Sequence, residues 1–189
     1  MKAGDISKKR RWLLEQMPTG GVCAEIGVWQ GDFSRWILEI TSPRLLHLVD
    51  PWAFSSAERD QETWHGGSAA TNQADLDRVY EAVASRFTGE VDQGRVVIHR
   101  APSLQAVAAF PDHYFDWIYV DGDHFYDAVS HDLAAWERTL RPGGTIAGDD
   151  YRESPIYGTD VIRAVDEFAA ARSLTVETWG RQFLIRLPG

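Results

Sequence analysis

Short apolar runs alternate along this chain with stretches whose apolar residues recur every three or four positions. The runs cover residues 22–26, 45–49, 95–99, 115–120 and 145–148. Parallel strands need long crossover connections, usually helices, and these crossovers are right-handed. The alternation therefore predicts an α/β fold, with a mostly parallel sheet that carries helices on both faces.

The stretches between the runs have the periodicity of helices. Residues 5–17 are predicted to form a first helix. Further helical faces are predicted from Phe33, Trp36, Ile37 and Ile40; from Leu76, Val79, Tyr80, Val83 and Phe87; from Val129, Leu133, Trp136 and Leu140; and from Val161, Val165 and Phe168. Near the C-terminus, Gly180 and Arg181 join two further apolar runs. This pattern predicts a hairpin, so the last strand should be antiparallel to the others.

The length of 189 residues fits one domain that covers residues 1–189. Residues 53–75 form a polar stretch with glycine and serine that is too long for an ordinary connection, so it is a candidate lid or substrate loop. The eight tryptophans, including Trp29, Trp52 and Trp64, are interpreted as core residues rather than as residues that stack on an acceptor, although the sequence allows both roles.

Composition and charge restrict the classes of partner. The chain is 44% apolar and has a formal net charge of −9, which repels phosphate backbones and anionic membrane surfaces. Neither nucleic acid nor a membrane is therefore an expected partner. Cys23 is the sole cysteine, and the sequence has no signal-like N-terminus or long apolar run, which favours the cytoplasm. The sequence leaves open whether the protein is a homo-oligomer.

Ligands of open α/β sheets bind at the carboxyl ends of the strands, so the residues that end each run are candidate site residues. Gly27 and Gly31 follow the first run and would let the backbone pass close to a ligand. The segment lacks the dinucleotide fingerprint and the Walker lysine, and tight packing alone would also explain it. Asp50 ends the second run, where a carboxylate can accept hydrogen bonds from ribose hydroxyls. An aspartate before proline is also an ordinary turn residue.

Three carboxylates follow two further runs. Asp121 comes after the fourth run, and Asp149 and Asp150 come after the fifth. Clustered carboxylates repel one another unless a positive charge lies between them. Mg²⁺ prefers such an oxygen-rich set of ligands, so a metal site is predicted. The alternative is an acidic surface that is simply solvated.

These residues resemble the class I S-adenosylmethionine-dependent methyltransferases, and among them the metal-dependent small-molecule O-methyltransferases of the macrocin, mycinamicin and catechol types. The resemblance extends from about Val22 to the terminal hairpin and includes the spacing between Asp121 and the Asp149–Asp150 pair. It implies a Rossmann-like, doubly wound, mostly parallel seven-stranded sheet with an antiparallel C-terminal strand. The N-terminal extension of larger relatives, which helps to build their acceptor pocket, has no counterpart here, so the acceptor is left open.

The resemblance also implies roles for individual residues. The cofactor-binding residues would be Glu25, Gly27, Gly31, Ser34, Asp50, Pro51, Trp52, Ser103 and Asp121. Asp121, Asp149 and Asp150 would bind Mg²⁺ or another divalent cation. His124 would be the general base, with Asp121 as its catalytic neighbour; the alternative is that His124 only packs or hydrogen-bonds a backbone carbonyl at the strand end. Pro142, Gly143 and Gly144 would form the turn before the fifth strand.

The implied reaction transfers a methyl group from S-adenosylmethionine to a hydroxyl of a small molecule, either a sugar diol or a catechol-like compound. A cation that lowers the pKa of the hydroxyl and a base that removes its proton would together activate this poor nucleophile. Two alternatives are a metal-dependent phosphoesterase and a nucleoside-binding protein without catalytic activity. Against the phosphoesterase, no lysine or arginine is expected beside the acids, and Asp50 would have no role.

Overall fold

Seven strands form one sheet in the computed structural model, which describes residues 6–189. The strands are β1 (Val22–Ile26), β2 (Leu45–Asp50), β3 (Val96–Arg100), β4 (Phe115–Val120), β5 (Leu140–Gly148), β6 (Val176–Trp179) and β7 (Gln182–Arg186). Their order in the sheet is β3-β2-β1-β4-β5-β7-β6. β1 to β5 pair in parallel, and β7 is antiparallel to both β5 and β6. The predicted fold class and its antiparallel C-terminal strand are confirmed.

The helices are α1 (Lys8–Glu15), α2 (Asp32–Thr41), α3 (Gln73–Arg86), α4 (Thr88–Asp92), α5 (Ser103–Val107), α6 (Tyr126–Glu137) and α7 (Asp160–Ala171). Residue 5, the first of the predicted N-terminal helix, lies outside the described residues. The short helices α4 and α5 were not predicted, because five residues are too few to show a helical period. Among residues 6–189, each helix is too short or too polar to cross a lipid bilayer.

Two apolar cores lie on opposite faces of the sheet. On one face, Leu13, Ile37 and Leu76 bring α1, α2 and α3 against Trp117. On the other face, side chains of α5, α6 and α7 pack against Ile118 and its neighbours. All residues of β1 are buried, as expected for a strand with helices on both sides. The strand order reverses beside β1, which pairs with both β2 and β4, so the crevice for a ligand lies at their carboxyl ends.

The region around β5 differs from the prediction. The segment Pro142–Gly144 lies within β5 as a bulge, because the pairing with β4 jumps from Leu140 opposite Phe115 to Thr145 opposite Trp117. Leu140, predicted to end the helical face of α6, begins this strand instead. Helix α6 ends at Glu137 because the chain must turn there to enter the sheet.

The segment between β2 and α3 has its own local structure. It contains a 3-10 turn at Glu58–Asp60 and a π-helical turn at Trp64–Ser68, and α3 begins at Gln73. Of the three tryptophans predicted to lie in the core, Trp52 is buried, Trp29 is partly buried and Trp64 is 60% exposed. The prediction is therefore wrong for Trp64, whose ring packs on Trp29 with 5.3 Å between centroids.

Candidate active site

Asp50 holds the loop between β1 and α2. One of its carboxylate oxygens accepts hydrogen bonds from the backbone N–H groups of Val28 and Trp29, both at 2.9 Å. The other accepts from the N–H of Trp52 at 2.7 Å. Burial raises the pKa of Asp50, and these three bonds act in the opposite direction. Asp50 therefore fixes the positions of the two loops that end β1 and β2.

The first glycine of this loop, Gly27, lies where the backbone passes so close to the backbone of Asp121 that a side chain would not fit. Gly27 has a φ of 89°, and a Cβ atom there would lie 2.1 Å from the carbonyl oxygen of Asp121. Three residues other than glycine also have positive φ at strand ends: Trp29 after β1, Trp52 after β2 and Asp150 after β5. Such conformations cost about 1–3 kcal/mol each and cluster at functional sites. Three of the six non-glycine residues with positive φ in residues 6–189 thus lie at this edge of the sheet, which is the candidate site.

Glu25 and Ser34 lie beneath the loop rather than on its open side. Both are buried, and the Ser34 hydroxyl donates a hydrogen bond to the Glu25 carboxylate. Burial raises the pKa of Glu25 to about 8. In the structure this pair joins β1 to α2, and its predicted contact with a cofactor stays a prediction.

Asp121, His124 and Asp150 form a compact group at the ends of β4 and β5. His124 Nε2 lies 3.4 Å from Asp121 Oδ1 and 3.1 Å from Asp150 Oδ2. One ligand atom from each of the three residues can lie within 4.8 Å of the others, a geometry that could hold a metal ion. The His124 ring also stacks on Tyr157, with 5.0 Å between centroids. Of the three carboxylates predicted to bind a metal, Asp121 and Asp150 belong to this group and Asp149 does not, while His124 belongs to it as well. Metal binding by these residues stays a prediction.

Electrostatics within the group favour a charged His124. Burial opposes the charge, but the hydrogen bonds to Asp121 and Asp150 raise the pKa of His124 to about 10. Burial also raises the pKa of Asp121, whereas for Asp150 the contacts with His124 and Arg152 outweigh burial and lower the pKa. At neutral pH the imidazolium supplies one of the positive charges that the carboxylates require.

Asp149 is placed differently from its two predicted partners. Its buried carboxylate accepts hydrogen bonds from Arg10 Nη2 at 2.5 Å, from Arg181 Nη2 at 2.9 Å and from Gln182 Nε2 at 2.6 Å. Arg10 also donates to Asp121 at 3.0 Å. Asp149 thus lies outside the group of possible ligands, and its role as a metal ligand stays a prediction that these contacts do not favour.

The argument that no basic residue accompanies the acids is wrong. Arg10 and Arg181 contact Asp149, and Arg152 donates to Asp150 at 3.0 Å. Arg10 lies in the basic run 8–11, which was the one available signal for it. Arg152 follows Asp150 by two residues, so its position in the sequence was an available signal. Arg181 lies in the predicted hairpin turn, where nothing in the sequence pattern connected it to the acids.

The remaining predicted cofactor residues lie at the neighbouring strand ends. Pro51 is exposed at the tip of β2, whereas Trp52 is buried and donates from its indole to the Trp29 carbonyl at 2.9 Å. Ser103, at the start of α5, donates to Asp132 at 2.5 Å and accepts from Trp136 at 2.8 Å. Ser103 is partly buried, and its hydroxyl is therefore already engaged by α6.

The segment 53–72 reaches across to the loop that follows β4. Arg59 donates to Asp123 at 3.2 Å and to Asp127 at 3.1 Å, and its guanidinium lies 4.8 Å from the Phe125 ring centre. Asp60 is buried at the base of the segment. The segment is therefore attached over the edge where β1, β2 and β4 end.

Comparison with known proteins identifies the family to which the chain belongs. The methyltransferase domain family matches residues 24–151, which include all the strand ends described above except those of the C-terminal hairpin. No curated protein matches the chain.

Several solved structures share the fold at low sequence identity. A Bacillus subtilis tRNA methyltransferase is 11% identical, with a TM-score of 0.60 over 98% of this chain and 67% of that one. A Burkholderia thailandensis 1,6-didemethyltoxoflavin N1-methyltransferase, solved with S-adenosylhomocysteine, is 15% identical, with a TM-score of 0.60 over 95% of this chain and 77% of that one. An Aquifex aeolicus S-adenosylmethionine-dependent methyltransferase is 10% identical, with a TM-score of 0.58 over 94% and 87%. The chain belongs to the methyltransferase domain family and has the fold of the class I S-adenosylmethionine-dependent methyltransferases.

Proposed function

We propose that this methyltransferase transfers the methyl group of S-adenosylmethionine to a hydroxyl oxygen of a small molecule. The observation that carries the proposal is the convergence of Asp121, His124 and Asp150 beside the loop held by Asp50. Family membership supplies the methyl transfer. The group of carboxylates and imidazole supports a hydroxyl as the acceptor, because a hydroxyl must lose its proton to become a good nucleophile.

We assign cofactor binding to the ends of β1, β2 and β3. The loop from Gly27 to Gly31 would hold the amino-acid part of the cofactor, and Asp50 would accept the ribose hydroxyls. The two oxygens of Asp50 accept three backbone hydrogen bonds, and a carboxylate has about four acceptor sites, so capacity remains for a hydroxyl donor. Pro51, Trp52 and Ser103 would line the remainder of the cofactor site.

The residues also fit a divalent cation. Asp121 and Asp150 would hold it, since Mg²⁺ commonly binds one or two carboxylates together with water and substrate oxygens. A bound cation would lower the pKa of a coordinated hydroxyl and orient it. The cation would displace the contacts that His124 and Arg10 now make with these carboxylates. In this arrangement Asp149 is a positioning residue that keeps Arg10 and Arg181 in place.

His124 would accept the proton of the acceptor hydroxyl. The hydroxyl oxygen forms a bond to the methyl carbon as the bond from that carbon to sulfur breaks, and S-adenosylhomocysteine leaves as a neutral thioether. The proton of the hydroxyl passes to the imidazole, so His124 must be neutral before the reaction begins. The contacts with Asp121 and Asp150 that raise the pKa of His124 to about 10 would be lost when these carboxylates hold a cation, and this loss would favour the neutral imidazole. Stacking on Tyr157 fixes the plane of the ring, which orients Nε2 toward the two carboxylates.

A small-molecule acceptor is favoured over nucleic acid by the net charge of −9. We also place the enzyme in the cytoplasm, where its single cysteine, the buried Cys23, would stay reduced. The Bacillus subtilis tRNA methyltransferase shares only its fold with this chain. Its substrate is therefore not assigned to this protein.

Calorimetry with S-adenosylhomocysteine, with and without Mg²⁺ or Mn²⁺, tests the proposal. We expect binding of S-adenosylhomocysteine without metal, and saturable binding of Mn²⁺ that Asp150→Asn removes while Asp112→Asn does not. Asp112 is a suitable control because it is exposed and pairs with Arg138 far from the site. Absence of S-adenosylhomocysteine binding would overturn the transferase, and absence of metal binding would overturn the role of the cation.

A further inference from the structure

A cavity of about 750 Å³ opens between α1, the start of α2 and the turn that joins β6 to β7. This volume lies within the usual range for small-molecule sites. Phe33 and Trp36 contribute apolar surface, and Phe33 lies two residues after Gly31 of the proposed cofactor loop. Arg10 and Arg181 connect the inner end of the cavity to Asp149. The cavity thus adjoins both the cofactor loop and the acidic centre.

The lining of the cavity is mostly basic, in contrast to the acidic composition of the whole chain. Its lining includes five basic residues, Lys9, Arg10, Arg35, Arg152 and Arg181, and one acidic residue, Asp32. The whole chain instead has more acidic than basic residues, with 28 against 19. Asp32 is itself paired with Arg86, at 2.7 Å. Such a local excess of positive charge concentrates anions even on an acidic protein.

Two of these cations retain capacity for a ligand. Arg152 bonds Asp150 through Nε, so its two terminal nitrogens remain for another acceptor, and its side chain is 49% exposed. Lys9 lies against Gly180, and its ammonium forms no ion pair with any residue of the described part of the chain, 6–189. By contrast, Arg10 and Arg181 are committed to the buried Asp149.

We propose that this cavity is the acceptor site and that the acceptor carries an anionic group, a carboxylate or a phosphate, which Lys9 and Arg152 bind. The proposal rests on the methyl transfer proposed above and adds the chemical class of the substrate. Arginine and lysine together suit either anion, because both present charged N–H donors. The link from Arg152 to Asp150 places the anionic group next to the carboxylates, so that the acceptor's hydroxyl reaches the reacting centre while its anion stays in the cavity.

The first experiment is a titration of the ¹⁵N-labelled full chain with inorganic phosphate and, separately, with acetate, at constant ionic strength. The arginine Nε–H signals and the backbone signals of α1 report binding. We expect saturable shifts at Arg152 and Lys9. Lys9→Gln and Arg152→Gln should each weaken the apparent affinity about 10-fold, as expected for loss of a charged hydrogen bond. Arg152→Lys should retain most of the binding. The stronger of the two probes identifies the class of anion.

Matched controls separate a site from general charge. Lys8 adjoins Lys9 in α1 and does not line the cavity, and Arg163 is an exposed arginine of α7. Lys8→Gln and Arg163→Gln should change the affinity less than twofold. Equal effects of Lys8→Gln and Lys9→Gln, or shifts that never saturate, would overturn the site.

A second measurement decides whether the anion is part of the acceptor or of the cofactor. Binding of S-adenosylhomocysteine, which has a carboxylate, is compared with binding of 5′-methylthioadenosine, which has none. We expect Lys9→Gln and Arg152→Gln to leave both affinities unchanged. A selective loss of S-adenosylhomocysteine binding would assign the cavity to the cofactor and overturn the proposal. Binding of a short RNA duplex that depends on Lys9 and Arg152, without binding of free phosphate, would also overturn it.

These outcomes are independent of the methyl transfer itself. Failure of S-adenosylhomocysteine to bind the wild-type protein would refute the proposed function, while the anion titration can be carried out without any cofactor. If phosphate and acetate do not bind but S-adenosylhomocysteine does, the anion site is refuted. Methyl transfer then remains the proposed function, with an acceptor of another chemical class.

Discussion

Arg10 of the first helix donates a 2.5 Å hydrogen bond to the carboxylate of Asp149, which has no exposed side-chain surface. The two residues are separated by 139 positions in sequence. Arg10→Met should destabilise the fold by about 2–3 kcal/mol, because removal of one partner leaves a buried carboxylate with less compensation. This loss of stability is smaller than the loss expected for a buried carboxylate with a single partner, because Arg181 and Gln182 still donate hydrogen bonds to Asp149. Urea denaturation measures the difference.

The exposed Lys8→Met, in the same helix, is the control and should change stability by less than about 0.5 kcal/mol. Arg10→Met should also increase the affinity of the site for Mn²⁺, because the arginine no longer competes for Asp121. Similar stability for the two variants would show that the ion pair contributes little.

Asp50→Ala should weaken binding of S-adenosylhomocysteine about 10- to 100-fold, measured by calorimetry, because both the ribose contact and the support of the β1–α2 loop are lost. Asp116→Ala is a matched control. Its carboxylate also accepts a backbone N–H bond, from Val22, but at the opposite end of β1. A similar loss of affinity in both variants would mean that the effect is one of general stability.

Arg59→Gln should detach the segment 53–72 from the loop after β4. Arg59 contacts Asp123, Asp127 and Phe125, so we expect faster hydrogen exchange in residues 58–68. If the segment is a lid, a cofactor together with an acceptor restores protection. Arg78→Gln removes a pair with Asp75 at the start of α3 and should leave exchange in 58–68 unchanged. Unchanged exchange in Arg59→Gln would show that buried Asp60 and its neighbours hold the segment.

The stability of the protein should depend on pH through Asp132. Burial raises the pKa of Asp132 to about 6, although a hydrogen bond from Ser103 opposes the shift. The folded state therefore binds the proton more tightly than the unfolded state, and the contribution of this group to stability falls as pH rises from about 4 through 6. Asp132→Asn should match the wild type near pH 4 and exceed its free energy of unfolding by about 1–3 kcal/mol above pH 7.

Denaturant unfolding at several pH values measures this difference. The measurement near pH 4 is the internal control, because both side chains are then mostly uncharged. A difference between the two proteins that does not change with pH would contradict the assigned titration.

Local patterns allowed much of the sheet to be predicted. The bounds of β1 and β4 agree with the apolar runs at 22–26 and 115–120, because both strands are largely buried on both faces and end abruptly, β1 before Gly27 and β4 before Asp121. The bulge of β5 could not be predicted in the same way. Pro142 and the glycines after it have the composition of a turn, and only pairing with β4 shows that the strand continues through them.

Site residues that lie close together in sequence at one strand end could be predicted. Contacts between residues that are distant in sequence could not. Asp121 and His124 are three residues apart, and both were identified from the sequence around the end of β4. The partners of Asp149 could not be identified, because Arg10 and Arg181 approach it from separate elements. The sequence argument for a positive charge among the acids is physically correct, and the structure supplies that charge through arginines and His124.

The two arginines on Asp149 also have a consequence for the order of events during synthesis. Arg10 is translated before β1 to β5, whereas Arg181 belongs to the turn between β6 and β7 and is translated after them. Until β7 inserts beside β5, a nascent chain that has already formed β1 to β5 holds Asp149 with only part of its counter-charge. The acidic centre is thus completed by a segment that is translated after the carboxylates it neutralises, and a truncation before residue 181 would leave β1 to β5 with an unbalanced negative charge at Asp149.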